Sequence, residues 1–283
     1  MADDKVFLGR KVFFLNPPSG FEKSVIENLR SIEYEVYSVS DYRMIKGILS
    51  LNSDSILFII PNGNLNARGW RNFMKSFENE SLFEPLDVGV IMRKMPAERE
   101  SSFLSGIKLD AGLIYVDGGI SDVFKQILVS LEKLNAKGIR KYVRADCNSE
   151  KTAEIYWLKA GKMLKFKMID ISSVGIAALF PARLQSDIFV NQVISDAYIN
   201  MEMTHKSGDT NFVDRKQLAV TLKISAIKVV GENLLVVFMY GNETPVDVIK
   251  KIREYVTYIL NRKLFSSVAD FPPDGVDYNV LGL

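Results

Sequence analysis

The sequence predicts two domains: an open α/β sheet of parallel strands, followed by an antiparallel β-barrel with a C-terminal helix. Three observations predict this. The chain has 283 residues, more than one domain of ordinary size at about 100–200 residues. The first half alternates short apolar runs with stretches of helical period, whereas the second half carries closely spaced runs that read as half-buried strands. Between the two rhythms, Asn135-Ala-Lys-Gly138 reads as a helix C-terminus, with Gly138 free to take the left-handed cap.

In chain order, Val12–Leu15, Val36–Val39, Ile56–Ile60, Val88–Met92 and Leu113–Val116 read as buried strands. Helices are expected around 22–32, 42–51, 68–79, 97–107 and 120–135. The last carries Ile120, Val123, Phe124, Ile127, Leu128, Leu131 and Leu134 on one face. Five strand–helix alternations imply an open parallel sheet covered on both faces. Further strands are expected at 153–158, 164–170, 175–180, 193–199, 218–227 and 233–239. Several short strands with Gly, Asn or Asp between them argue for a barrel. Pro245 then opens a helix to about Lys263, with Val248, Ile249, Ile252, Tyr255, Val256 and Ile259 on one face. The expected boundaries are 1–136, 137–264 and an irregular tail, 265–283.

Composition narrows the chemistry. Hydrophobic residues make up 47% and charged residues 25%, values of a globular protein rather than a disordered one. No apolar run reaches the roughly 18–20 residues that span a bilayer, so no membrane insertion is expected. The acidic start, Met-Ala-Asp-Asp-Lys, does not suggest a signal peptide. A lone cysteine, Cys147, fits a reducing cytoplasm. One His and one Cys give no zinc set, no Ser-His-Asp triad and no expected metal or cofactor. His205, in a polar stretch, is expected on a loop as a bystander. Trp70 and Trp157 are expected to pack rather than to stack on a base. Gly106, Gly112, Gly118 and Gly119 lack the Gly-Lys-Ser/Thr ending of a phosphate loop.

Charge is local. Nine basic and three acidic residues fall within 137–167, an attraction for an anion but too small for a nucleic-acid stripe. This segment holds Arg140-Lys-Tyr-Val-Arg144, and 26 residues after Arg144 begins Asp170-Ile-Ser-Ser-Val-Gly175. Arg140 and Arg144 differ by an even number, so an extended segment projects both to one side; in a helical turn they are also neighbours. Guanidinium groups bind phosphate or guanine acceptors through paired hydrogen bonds and stack on bases. Asp170 accepts from a guanine N–H edge, and Ser172 both donates and accepts. Two apart on a strand end, they share a face. Gly175 permits a positive φ and close backbone approach. Lys141 adds diffuse attraction.

Either motif alone is ordinary. Basic residues four apart commonly form a solvated face, and Asp-x-Ser-x-x-Gly is a hairpin signature. Together, in this order, they resemble the PilZ family of cyclic di-GMP receptors over roughly 138–263. All five signature positions match: Arg140, Arg144, Asp170, Ser172 and Gly175. The resemblance implies that the Arg pair wraps cyclic di-GMP and that the Asp/Ser/Gly strand end reads guanine. Ile139 stands where many members carry another basic residue, which leaves open one nucleotide or an intercalated pair.

The first half resembles the receiver fold of two-component signalling, in architecture only. That family's chemistry needs acidic residues after the first strand, a phosphorylatable Asp after the third and a Lys after the fifth. Here those ends are Leu15-Asn16-Pro17-Pro18, Ile60-Pro61-Asn62-Gly63-Asn64 and Val116-Asp117-Gly118-Gly119, so the set is missing. A degenerate receiver-like domain that docks a protein partner is the expectation. The whole reads as a non-enzymatic cyclic di-GMP receptor whose ligand, bound at the domain junction, alters domain arrangement and partner contacts. The alternative is a nucleotide-independent interaction adaptor.

Overall fold

Runs such as Val12-Phe-Phe-Leu15 are apolar at every position because a parallel strand is buried on both faces. The computed structural model, which describes residues 9–139, 141–150, 152–207 and 210–281, places five such strands in one sheet. They are β1 (Lys11–Leu15), β2 (Val36–Val39), β3 (Ser55–Ile59), β4 (Asp87–Met92) and β5 (Gly112–Tyr115). All pair in parallel, in the order β2-β1-β3-β4-β5. Val12, Phe13, Phe14, Leu15 and Ile56, Leu57, Phe58, Ile59 are fully buried.

The first crossover helix is continuous but not uniform. It runs through α1 (Ser19–Phe21), a π-helical turn (Glu22–Ile26) and α2 (Glu27–Ser31). Helices α3 (Tyr42–Ser50) and α4 (Ala67–Glu78) begin at Asp41 and Asn66, whose side chains accept from the Arg43 and Gly69 amides; each cap satisfies an otherwise orphaned donor. Helices α5 (Ala97–Leu104) and α6 (Ile120–Lys133) complete the set. Gly138 has φ +57°, the left-handed conformation read from the sequence.

The chain divides into two compact units, Met1–Lys141 with Leu264–Leu283, and Tyr142–Lys263. The last segment is irregular after Ser267 but is packed in the α/β unit. Tyr278 is 1% exposed and sits edge-on to Phe73 and Tyr42. Asn72 donates to the Tyr278 and Leu281 carbonyls, each at 2.8 Å. The sequence hides this because an aromatic among turn residues shows no period. Trp70 is buried in the same aromatic group.

The second unit is a barrel. Strands β7 (Glu154–Lys159), β8 (Lys162–Ser172), β9 (Gly175–Pro181), β10 (Val193–Ser207), β11 (Thr210–Val230) and β12 (Asn233–Tyr240) pair antiparallel around a closed ring, β8-β7-β10-β11-β12-β9-β8. A three-residue strand, β6 (Arg144–Asp146), adds to β8. Inward residues alternate with outward ones, as in Ile155 and Trp157 opposite Phe166 and Leu164. Helix α7 (Val246–Ser267) contributes Ile252, Tyr255, Val256 and Ile259 to this core.

One expectation is corrected here. His205 is not on a loop: it lies in β10, where its ring stacks on Phe212 at 5.2 Å. From Met201 onward β10 pairs with β11 alone, so the hairpin extends as a two-stranded arm. Its alternating polar residues look like a loop because little of the arm is buried.

Candidate functional site

The site is built on the end of β8. Before Ile169, even-numbered residues Phe166 and Met168 face the core. Between Met168 and Asp170 the register against β9 shifts by one, a β-bulge that adds one unpaired residue. The shift inverts the alternation. Ile171 becomes the core residue, and Asp170 and Ser172 turn to the outer side. Without it, the same spacing would send both polar side chains inward.

The short strand β6 completes the arrangement. Arg144 lies opposite Ser172, Ala145 opposite Ile171, and Asp146 opposite Asp170. Ala145 and Cys147 enter the core, so Arg144 and Asp146 share the outer face with Asp170 and Ser172. The Arg144 Nη1 is 3.8 Å from Asp170 Oδ1, with side-chain exposures of 48% and 29%. A pair that long and that exposed is weak, at most about 1 kcal/mol. A contact this loose leaves the Arg144 guanidinium with further donors.

Ser172 has a different task. It is 2% exposed, and its hydroxyl donates to the Gly175 carbonyl at 3.1 Å while accepting from the Gly175 and Val174 amides at 3.2 and 3.4 Å. Its one proton is committed to the β8–β9 turn. Gly175 is required for space: a Cβ there would stand 2.1 Å from the Phe238 carbonyl oxygen on β12. Its φ is not among the positive values, so the expectation of positive φ is corrected, while that of close approach stands. The two residues shape the strand end that carries Asp170.

Charge around β6 is tied to α7. Lys263 Nζ meets Asp146 Oδ2 at 2.8 Å, and Asp146 also accepts from the Asn148 amide at 2.8 Å. The lysine first, then the amide, hold this carboxyl below the usual range. Arg262 pairs with Glu150, whose side chain is 3% exposed. Beneath the strand, burial pushes the Cys147 thiol up to about 12, with Glu150, Asp170 and Asp146 adding to it.

Of the residues singled out in the sequence, Arg144, Asp170, Ser172 and Gly175 come together at one strand end. Arg140 lies outside the described residues. Lys141 falls on the other side of the division between the two units. The sequence reading missed Asp146, although it stands two residues from Arg144 and therefore on the same face of any strand. It was overlooked because a three-residue strand with one inward residue shows no period. Among the described residues no cluster of His, Cys, Asp and Glu fit for a metal ion occurs, and no helix is long and apolar enough to cross a membrane.

No protein-family model matches the sequence, and no curated protein matches it. Among solved structures, the chain is similar to the PilZ domain of YcgR with c-di-GMP from Escherichia coli: 14% identity, 46% of this chain, 98% of that one, TM-score 0.33. It is also similar to the K. pneumonia MrkH–c-di-GMP complex, at 13% identity over 46% of this chain and 55% of that one, TM-score 0.34. A third is the Borreliella burgdorferi PlzA protein in complex with c-di-GMP, at 13% identity, 41% and 46% coverage, TM-score 0.24. The chain spans about half the length of the last two.

Proposed function

We propose that this protein is a non-enzymatic receptor for cyclic di-GMP, bound at the end of β8. The observation that carries the reading is the meeting of two motifs on one outer face. Arg144 stands opposite Ser172 and within 3.8 Å of Asp170, although the motifs are 26 residues apart in sequence. In this reading Arg140 and Arg144 grip phosphate and stack on guanine, and Asp170 accepts from a guanine N–H edge. Ser172 and Gly175 hold the strand end in shape, and Lys141 adds attraction. Arg140 and Lys141 belong to the covalent link between the units, so a ligand held by them alters the arrangement of the units by binding one state more tightly. The α/β unit, without the receiver carboxylates and lysine at its strand ends, is assigned to protein contacts.

Titration calorimetry tests the reading. Saturable micromolar binding of cyclic di-GMP, weakened in Arg144→Ala, is expected; no binding, or unchanged affinity in the variant, overturns it. Small-angle scattering across the same titration reports the rearrangement separately.

A further inference from the structure

Helix α4 opens with arginines rather than acids. A helix N-terminus favours anions and its C-terminus favours cations. Yet the first turn of α4 holds no acidic residue, and Arg68 and Arg71 lie in its N-terminal half; its last turn carries both Lys75 and the final Glu78. Against that N-terminal half runs α5, which starts without a side-chain cap and brings Arg99. Arginines gathered where helix N-termini favour anions point to a purpose outside the helix.

The two ends of α4 border two separate grooves. The first is lined by Arg68, Arg71 and Arg99 around Met95 and Phe103, with Glu98 as its one acid. None of the three arginines is ion-paired among the described residues, and Arg71 Nε is buried without a hydrogen-bond partner among them. The second is lined by Glu78, Glu80, Glu84 and Asp110, with Lys108 as its one base. Lys108 is held by Asp110 at 2.9 Å. Between Glu80 and Glu84 a 3-10 turn, Ser81–Phe83, lifts Leu82 to 48% exposure.

Both grooves lie along one seam. Arg71 donates to the Ser105 carbonyl at 3.2 Å, a Cβ on Gly106 would touch Lys75, and Glu78 accepts from the Lys108 amide at 2.6 Å. The seam thus follows α4 from its basic end to its acidic end. Twelve residues set those ends about 18 Å apart. That fits inside the roughly 30 Å width of an interface patch of about 800 Å².

We infer that this face pairs with a second copy of the chain about a two-fold axis, the arginine groove of each copy receiving the acidic, leucine-bearing 78–84 segment of the other. A two-fold contact places residue i of one copy on residue j of the other and j on i, so a face basic at one end and acidic at the other complements itself. Leu82 supplies the apolar contact for Met95 and Phe103. The carboxylates reach guanidinium groups that form no ion pair among the described residues, at helix N-termini that favour anions.

Sedimentation velocity of the full chain from about 1 to about 100 µM, at low and high salt, tests this. A concentration-dependent dimer that weakens in salt is expected. Arg99→Glu and Glu84→Arg, both at exposed positions, should each weaken it about tenfold or more, with unchanged circular dichroism. Mixing the two variants should restore a heterodimer, because both contacts of the two-fold become attractive again. The proposal is overturned by a monomer throughout, by a dimer indifferent to either variant, or by a mixture that stays monomeric. It is equally overturned if the monomer binds inorganic phosphate at Arg99 without self-association. Cyclic di-GMP affinity, measured on the same variants, is independent of either outcome.

Discussion

Two arginines, one in each unit, show how differently a fold can use the same side chain. Arg10 in the α/β unit is heavily engaged, although its Nε makes no hydrogen bond among the described residues. Its guanidinium meets Asp87 and lies 2.9 Å from Asp54 Oδ1, and it donates to the Ser55 and Pro85 carbonyls at 2.9 and 3.0 Å. With 15% of its side chain exposed, it joins the strand ends of β3 and β4. Among the described residues Arg144 meets one carboxylate, at 3.8 Å, and it is 48% exposed. Satisfied donors stabilise the fold and have little left for a ligand. Loosely held donors contribute little to stability and stay available.

The comparison breaks if the two removals act alike. Arg10→Ala leaves Asp87 and two carbonyls without their donor, which should cost about 2–4 kcal/mol of stability. Urea unfolding of the α/β transition reads this, and a loss below about 1 kcal/mol would show that the Arg10 contacts add little to the fold. Arg144→Ala should do the reverse. Stability should change by no more than about 1 kcal/mol, while cyclic di-GMP binding should fall by about 1.5–3 kcal/mol, roughly 10- to 150-fold. A variant that unfolds but binds normally would reverse the roles.

Smaller effects sharpen the view of the β8 end as a shaped support. Gly175→Ala drives a Cβ into the Phe238 carbonyl and should cost at least about 1 kcal/mol; Gly63→Ala, with open space around it, is the control. Ser172→Ala should cost about 1 kcal/mol, since it unseats two amides and a carbonyl of the turn. Ligand affinity should then fall only as far as Asp170 moves. Thermal melts with and without cyclic di-GMP separate the two contributions. A large affinity loss at unchanged stability would assign Ser172 to direct ligand contact.

Much of this was legible in the residues, for identifiable reasons. Strands buried on both faces read as unbroken apolar runs, so all five parallel strands could be placed. The Arg and Asp-x-Ser-x-x-Gly motifs could be paired because their chemistry is complementary and their order specific. Other features leave no periodic trace. The bulge at Ile169 inverts which side Asp170 faces, yet nothing in Met168-Ile-Asp170 announces an extra residue. Strand β6 has one core residue, Ala145. Among the described residues the hairpin arm buries Met201 and Met203 beyond the ring, so its sequence looks solvated. Gly175 could be singled out, but the reason for it belongs to β12, more than sixty residues later in the chain.

The finest distinction lies within β6 itself, where Arg144 is loosely held and Asp146, two residues on, is firmly engaged. Lys263 and the Asn148 amide depress the Asp146 carboxyl. A group whose pKa is lower in the folded state stabilises the fold at pH above its unfolded value, near 3.8, and loses that contribution as pH falls through the folded value. Because the carboxylate is 56% exposed, solvent screening limits the effect to about 0.5 kcal/mol. Lys263→Gln should therefore lower stability slightly at neutral pH and not at all at about pH 2, with the difference shrinking as salt is added. Measuring the variant across pH 2–7 checks this. If the difference persists below pH 3, Lys263 stabilises through packing of its aliphatic stem, and its ion pair with Asp146 adds little.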